Sequence, residues 1–119
     1  MAGHWLPGSP PVTGPEWASL LVAHPVVVAH FWATWNGVDR RFDPQFRPVR
    51  EEFAGRIEFR SADVDEPTLQ DICRECEVVN VPALACFVRG RRVETVIGAR
   101  SAQELRARFS RLVAQAGDA

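Results

Sequence analysis

Hydrophobic residues recur along the chain with two alternating periods, one typical of helices and the other of strands. Trp17 and Leu20 share one helical face in a segment that ends before Pro25. The run Val26–Trp32 is rich in β-branched residues and almost continuously apolar, which is typical of a central strand covered on both sides. Helical spacing returns over residues 36–53. The first half of the chain therefore predicts helix, strand and helix.

The second half of the chain repeats this alternation and then adds two consecutive strands. Residues 57–62 alternate as a strand does, and Pro67 suits the first position of the following helix. The apolar stripe of that helix comprises Leu69, Ile72, Cys73 and Cys76. Residues 84–88 and 92–97 flank a short turn and predict a hairpin. Ser101 predicts the N-cap of a last helix.

This order of elements predicts an α/β fold. Strands that alternate with helices and end in a hairpin form a mixed central sheet, here of about four to five strands flanked by four helices. A chain of 119 residues is one domain. Residues 1–15 are rich in proline and glycine, so we expect a flexible tail there and the folded domain over residues 16–119.

Charge and cysteine content exclude several classes of function. The 14 basic and 15 acidic side chains give a net charge of −1, which favours neither nucleic acid nor an anionic membrane as a partner. Three cysteines are an odd number, and a chain of this length folds without disulfides. The N-terminus lacks a basic segment followed by a long apolar run. We therefore expect a cytoplasmic protein without a cofactor, either a monomer or a weak homodimer.

Three segments of the chain resemble thioredoxin sequences at matching spacings. They are VVVAHFWATWNGVD at residues 26–39, NVPA at residues 80–83 and GARS at residues 98–101. Pro44 also fits, because it stands five residues after the turn that holds the thioredoxin active site. The resemblance spans residues 16–115. It implies a thioredoxin-like fold with a cis peptide bond before Pro82.

The resemblance fails where thioredoxins carry their two reactive cysteines. Their W-C-G-P-C motif corresponds here to Trp35-Asn36-Gly37-Val38-Asp39. Dithiol exchange needs one thiolate to attack a disulfide and a second thiol to resolve the mixed disulfide, and an amide and a carboxylate do neither. We therefore predict no catalytic residues in this turn. Asn36 is expected to cap the following helix, and Asp39 to interact favourably with the helix dipole.

His30 stands where thioredoxins have a buried acid beneath their second cysteine. If this geometry carries over, His30 and Asp39 lie within about 6 Å of each other. A buried, hydrogen-bonded pair is far less costly than either ion alone. We predict a structural His30–Asp39 contact, either direct or through one water.

Cys73 and Cys76 have C-x-x-C spacing, which leaves two interpretations open. One is a non-standard redox pair. The other is that two small apolar side chains pack against the sheet, which a position late in a helix favours because the helix C-terminus disfavours a thiolate. Cys86 is expected in the core. No metal site is predicted, because two ligands close in sequence do not make the four of a structural zinc site.

By resemblance, five residues form a groove that holds an extended peptide through strand-like backbone hydrogen bonds: Trp35, Val81, Pro82, Gly98 and Ala99. We accordingly favour a redox-inactive adaptor or regulatory module, not an enzyme, that binds a protein or an extended peptide. Two alternatives stay open. One is a thiol–disulfide oxidoreductase that uses Cys73 and Cys76, and the other is a structural or assembly subunit.

Overall fold

The computed structural model describes residues 5–118, in which helices and strands alternate in the predicted order. The elements are α1 (Gly14–Ala23), β1 (Val26–Trp32), α2 (Gly37–Glu52), β2 (Glu58–Asp63), α3 (Gln70–Glu75), β3 (Ala83–Val88), β4 (Arg91–Ile97) and α4 (Ala102–Asp118). One turn of 3₁₀ helix, Pro67–Leu69, leads into α3, so the helix predicted from Pro67 onward is divided in two. No helix within residues 5–118 is long and apolar enough to cross a membrane.

β1 lies inside a four-stranded mixed sheet with the strand order β2-β1-β3-β4. It pairs in parallel with β2, with His30 opposite Ser61, and antiparallel with β3, with His30 opposite Leu84. Every residue of β1 is buried, as expected for a strand that is covered on both faces. The sheet and the four helices confirm the predicted α/β, thioredoxin-like fold.

Alternate residues of β1 contribute to two hydrophobic cores, one on each face of the sheet. Val26 and Val28 belong to the core that α2 and α4 cover, together with Phe42, Phe46, Phe53 and Phe109. Val27 and Phe31 belong to the core that α1 and the α3 region cover, together with Trp17, Leu20, Leu69 and Cys76. His30 has the same parity along the strand as Val26 and Val28. It therefore places a polar ring in the aromatic core beneath α2.

The sequence predicts a flexible tail over residues 1–15, of which residues 1–4 lie outside the part of the chain that the structure describes. Within the described part, the segment that precedes α1 makes backbone hydrogen bonds to β2. The backbone N–H of Ser61 donates to Pro10 O at 2.8 Å, and the N–H of Val12 donates to Ser61 O at 2.9 Å. Val12 is only 3% exposed. This segment therefore runs beside β2. The sequence did not show this pairing, because contact with a distant strand leaves no periodic pattern in a proline-rich segment.

α1 begins at Gly14, in close contact with the segment before α3. The N–H of Gly14 donates to Thr68 Oγ1 at 2.8 Å, and a Cβ on Gly14 would stand 2.1 Å from Thr68 O. We therefore expect Gly14→Ala to lower the free energy of unfolding by about 1–3 kcal/mol, as measured by urea denaturation. In the control Gly117→Ala, the new Cβ meets nothing within 4 Å, and stability should hold or rise because alanine favours the helix. Wild-type stability in Gly14→Ala would contradict this account of the contact.

Candidate functional site

Asn36 stands between β1 and α2 and is the N-cap of α2. Its Oδ1 accepts hydrogen bonds from Val38 N at 2.8 Å and from Asp39 N at 3.2 Å, two of the backbone donors that a helix start leaves without partners. Its Nδ2 donates to Val81 O at 3.1 Å. Asn36 therefore fastens the start of α2 to the loop before β3.

His30 and Asp39 form a direct pair that is closed to solvent. His30 Nε2 lies 3.0 Å from Asp39 Oδ1, and neither side chain is exposed. Asp39 Oδ2 also accepts from Ala33 N at 3.3 Å, and the rings of Phe42 and Phe46 lie edge-on to the imidazole. Within the described chain, His30 Nδ1 has no hydrogen-bond partner. The direct contact between the two side chains holds the first turn of α2 against β1.

Two of the residues that the resemblance assigns to a groove, Val81 and Pro82, are joined by a cis peptide bond. The N–H of Gly98 donates to Pro82 O at 2.7 Å, and Gly98 has φ +92°, a conformation that favours glycine. Ala99 follows at the surface, and Trp35 is 68% exposed. Direct backbone contact thus joins Pro82 to Gly98, while Trp35 and Val81 line the same cavity.

Both polar backbone groups of Val81 already have partners within the chain. Its N–H donates to Asn80 Oδ1 at 2.9 Å, and its carbonyl accepts from Asn36 Nδ2. The carbonyl oxygen keeps a second lone pair, but the N–H can serve only one strong acceptor. A peptide that pairs here as a strand must therefore displace the Asn80 side chain.

Cys73 lines a cavity of about 280 Å³ whose walls also include Trp35, Asn80 and Val81. Cys73 lies in α3 and is partly buried. Cys76, the C-cap of α3, is 3% exposed and belongs to the core. The structure thus brings one member of the C-x-x-C pair to the groove and leaves the other beneath it. No group of three or more histidine, cysteine or acidic side chains within residues 5–118 is arranged to hold a metal ion.

All three cysteines are free thiols, and burial makes each of them harder to ionise. Burial raises the pKa of Cys73 above the ordinary value of 9.0, and the nearby charge of Asp63 raises it further. Burial raises the pKa of Cys76 to about 11, against a smaller opposing effect of Arg92. Burial raises the pKa of Cys86, inside β3, to about 12. At neutral pH all three thiols are therefore protonated almost completely.

Sequence reasoning missed two carboxylates at the carboxyl end of β2, Asp63 and Asp65. Asp65 Oδ2 accepts from Trp35 Nε1 at 3.1 Å, and Asp63 Oδ1 accepts from Asp65 N at 2.9 Å. The available signal was their position after a strand parallel to β1, because ligands of α/β sheets bind at the carboxyl ends of the strands. The effect of the Asp63 charge on Cys73 depends on the tertiary structure, which the sequence does not show.

Comparison with known proteins identifies the family. The thioredoxin family model matches residues 10–111. The chain is 33% identical to thioredoxin-1 of Saccharomyces cerevisiae over 90 residues, which are 76% of this chain and 84% of that protein. It is 31% identical to the chloroplastic M-type thioredoxin of Brassica napus over 93 residues, which are 77% of this chain but only 51% of that protein. Mitochondrial thioredoxin 3 of S. cerevisiae, solved in its oxidised form, superposes with a TM-score of 0.77 at 26% identity and covers 87% of this chain and 94% of its own.

These matches contradict the prediction of a redox-inactive adaptor. Relatives that are 31–36% identical to the chain carry the name thioredoxin, and they favour the alternative of a thiol–disulfide oxidoreductase. The prediction was wrong because it gave more weight to the absence of sulfur at Asn36 and Asp39 than to the C-x-x-C pair of Cys73 and Cys76. The fold, the matched segments and the relatives together show that this chain belongs to the thioredoxin family.

Proposed function

We propose that the protein is a thiol–disulfide oxidoreductase that uses Cys73 as the attacking thiol and Cys76 as the resolving thiol. The observation that carries this proposal is the position of Cys73 on the wall of the cavity that Trp35 and Val81 also line. Family membership supports it, because dithiol–disulfide exchange is the chemistry that the resemblance to thioredoxins implies.

The proposed pair belongs to α3, whereas the usual motif lies at the start of α2. Asn36 and Asp39 occupy the turn where thioredoxins carry W-C-G-P-C, and both are engaged in capping and in the buried pair. Cys73 approaches the same groove from α3. The partly buried thiol of Cys73 suits the attacking role, because that sulfur must reach the substrate. The buried thiol of Cys76 suits the resolving role, because it must reach only Cys73.

The reaction conserves atoms and electrons as follows. The Cys73 thiol loses its proton to solvent, and its thiolate attacks one sulfur of a substrate disulfide. A mixed disulfide forms, the substrate S–S bond breaks, and the departing thiolate takes up a proton. Cys76 then loses its proton and attacks the Cys73 sulfur, so that the second substrate thiolate leaves. The protein dithiol supplies both electrons and ends as a Cys73–Cys76 disulfide, which an external thiol must reduce before the next cycle.

Closing that disulfide requires a small movement at the end of α3. Side chains three residues apart on a helix have Cβ atoms about 5–6 Å apart, whereas a disulfide needs about 3.5–4.5 Å. Cys76 follows the last residue of α3, and Glu77 after it adopts φ +58° and ends the helix. A tightening of this terminal turn by about 1–2 Å brings the sulfurs together.

The groove residues Trp35, Val81, Pro82, Gly98 and Ala99 are proposed to hold the substrate, a protein or an extended peptide that carries the disulfide. The exposed ring of Trp35 offers an apolar contact surface beside Cys73. A reducing compartment such as the cytoplasm would keep the three thiols in the free state. The choice of these five residues rests on the resemblance to thioredoxins, and Trp35 and Val81 line the same cavity as Cys73.

Cysteine substitutions test the proposed function. With reduced protein and bis(2-hydroxyethyl) disulfide, we expect Cys73→Ser to lower the single-turnover rate of thiol release by at least about a hundredfold, because the nucleophile is lost. Cys76→Ser should retain the first step and accumulate a mixed disulfide on Cys73, visible by intact mass spectrometry. Both variants are compared with the wild type at about pH 8.5, where a larger fraction of a thiol is ionised than at neutral pH.

Cys86→Ala is the matched control for these substitutions. Cys86 is buried within β3 and does not line the cavity, so its removal should leave the rate within about twofold of the wild type. An unchanged rate in Cys73→Ser, or an equal loss in Cys86→Ala, would overturn the assignment of Cys73. Circular dichroism checks that each variant is folded before the rates are compared.

A further inference from the structure

The backbone of the cis pair Val81–Pro82 has a single N–H group, and a neighbouring side chain already occupies it. Proline has no backbone N–H, and the carbonyl of Pro82 accepts from Gly98 N at 2.7 Å. The carbonyl of Val81 accepts from Asn36 Nδ2 at 3.1 Å. The N–H of Val81 donates to Asn80 Oδ1 at 2.9 Å. Asn80 therefore occupies the one backbone donor that these two residues possess.

Val81 and Asn80 lie in the wall of the cavity that Cys73 also lines. The hydrogen-bonded ladders of β3 with β1 and β4 end at Ala83, so neither neighbouring strand takes up the Val81 N–H. An extended peptide that adds here as a strand needs this N–H as the donor to one of its own carbonyls. The peptide must therefore compete with the Asn80 side chain for the Val81 N–H.

The expected effect of this competition is a few-fold change in reactivity. Asn80 is exposed, so its amide returns to water when a peptide displaces it. A net hydrogen bond of this kind changes an equilibrium constant by about two- to twelvefold. A small disulfide without a peptide backbone does not use the Val81 N–H and meets no such competition.

We propose that Asn80 is a specificity-determining residue, which disfavours extended peptides at the groove relative to small disulfides because it occupies the Val81 N–H. This inference rests on the proposed function of Cys73 and deepens it. Extended peptides stay substrates, but they react more slowly than the groove would otherwise allow. The groove thus favours disulfides that reach Cys73 without pairing with Val81 as a strand.

Two uncharged disulfide probes test the inference with reduced protein. One is bis(2-hydroxyethyl) disulfide, which has no peptide bond. The other is a mixed disulfide of 2-mercaptoethanol with a pentapeptide that is blocked at both ends and has a central cysteine between alanines. Each turnover follows the exchange described for Cys73 and Cys76, so the protein is oxidised and both thiols of the probe are released. Chromatography after an acid quench gives the single-turnover rate constant for each probe.

The peptide selectivity is the rate constant for the pentapeptide divided by that for the small disulfide. Asn80→Leu and Asn80→Asp both keep the approximate shape of asparagine. Leucine removes the acceptor of the Val81 N–H, so the selectivity should rise about fivefold. Aspartate keeps an acceptor, so the selectivity should stay at or below the wild-type value. Any effect of the added charge on Cys73 acts on both probes and cancels in the ratio.

Peptide binding without exchange provides a second measurement. The same pentapeptide with serine in place of cysteine has no disulfide, and NMR shifts of the Trp35 indole N–H report its dissociation constant. We expect this dissociation constant to be about fivefold lower in Asn80→Leu than in the wild type. Asn80→Ala, which adds no apolar surface, should act in the same direction as Asn80→Leu.

The possible failures are distinguishable. A selectivity that Asn80→Leu leaves unchanged, or that Asn80→Asp raises as much as Asn80→Leu does, would overturn this inference and leave the proposed function standing. A lack of exchange with both probes would overturn the proposed function. The serine peptide then decides whether Asn80 competes with a peptide, because equal dissociation constants in the wild type and Asn80→Leu would overturn that competition as well.

Discussion

Replacing Asp39 with alanine is expected to lower the free energy of unfolding by about 3–5 kcal/mol, because it breaks a buried pair and leaves His30 without its partner. The substitution also removes the acceptor of the Ala33 N–H and leaves space beneath the first turn of α2. Tryptophan fluorescence during urea denaturation measures the loss. Most point substitutions lower the free energy of unfolding far less than this. A loss of this size therefore distinguishes the buried carboxylate of Asp39 from acidic side chains at the surface.

Two further variants show whether the pair itself is responsible. Asp71→Ala removes an exposed acid of α3 and should change stability by no more than about 0.5 kcal/mol. The double replacement His30→Leu with Asp39→Leu should cost less than the sum of the two single changes, because apolar residues can take the place of a buried pair. A loss below about 1 kcal/mol in Asp39→Ala would contradict the structural importance of this contact.

Alkaline pH is expected to destabilise the fold steeply between about pH 9 and pH 11. The unfolded thiols ionise near their ordinary pKa of 9.0, whereas in the folded chain burial raises the pKa of Cys76 to about 11 and that of Cys86 to about 12. The folded state therefore holds more protons than the unfolded state in this range, and the free energy of unfolding falls as pH rises. Each thiol contributes up to about 1.4 kcal/mol per pH unit.

Few side chains of this protein other than the cysteines ionise between about pH 9 and pH 11. The sequence contains no lysine and no tyrosine, so cysteines are the main side chains that ionise in this range. Urea denaturation at a series of pH values under reducing conditions gives the slope of the free energy of unfolding against pH. Cys86→Ala should make this slope shallower by an amount that corresponds to about one proton. A free energy of unfolding that stays constant up to pH 11 would show that the buried thiols do not govern alkaline stability.

The fold was predictable because its signals are local and repeated. The continuous apolar run of β1, the alternation of the second strand and the capping serine of α4 each carry a period or a cap that short sequence windows reveal. The N-terminal segment carries no such signal. Its order comes from backbone bonds to Ser61, about fifty positions away in the chain, which no local pattern encodes.

The candidate site was predictable only in part. The resemblance to thioredoxins predicted that His30 and Asp39 lie close together, and the structure places them in direct contact. The burial of Cys73 and Cys76 and the effect of the Asp63 charge on Cys73 depend on how α3 packs against the sheet, and the sequence shows neither. The larger error concerned function, because the missing sulfur at one turn was given more weight than the C-x-x-C pair in α3.

The N-terminal segment also has a consequence for how copies of this protein meet one another. A sheet edge with free N–H and C=O groups is a template for strands of neighbouring molecules and thus for aggregation. On the outer side of β2, the backbone groups of Ser61 are already bonded to Pro10 and Val12. On the opposite edge, β4 begins with two arginines, the exposed Arg91 and Arg92, which pairs with Glu77. Both borders of the sheet are therefore protected against intermolecular pairing, one by a proline-containing segment and the other by charge.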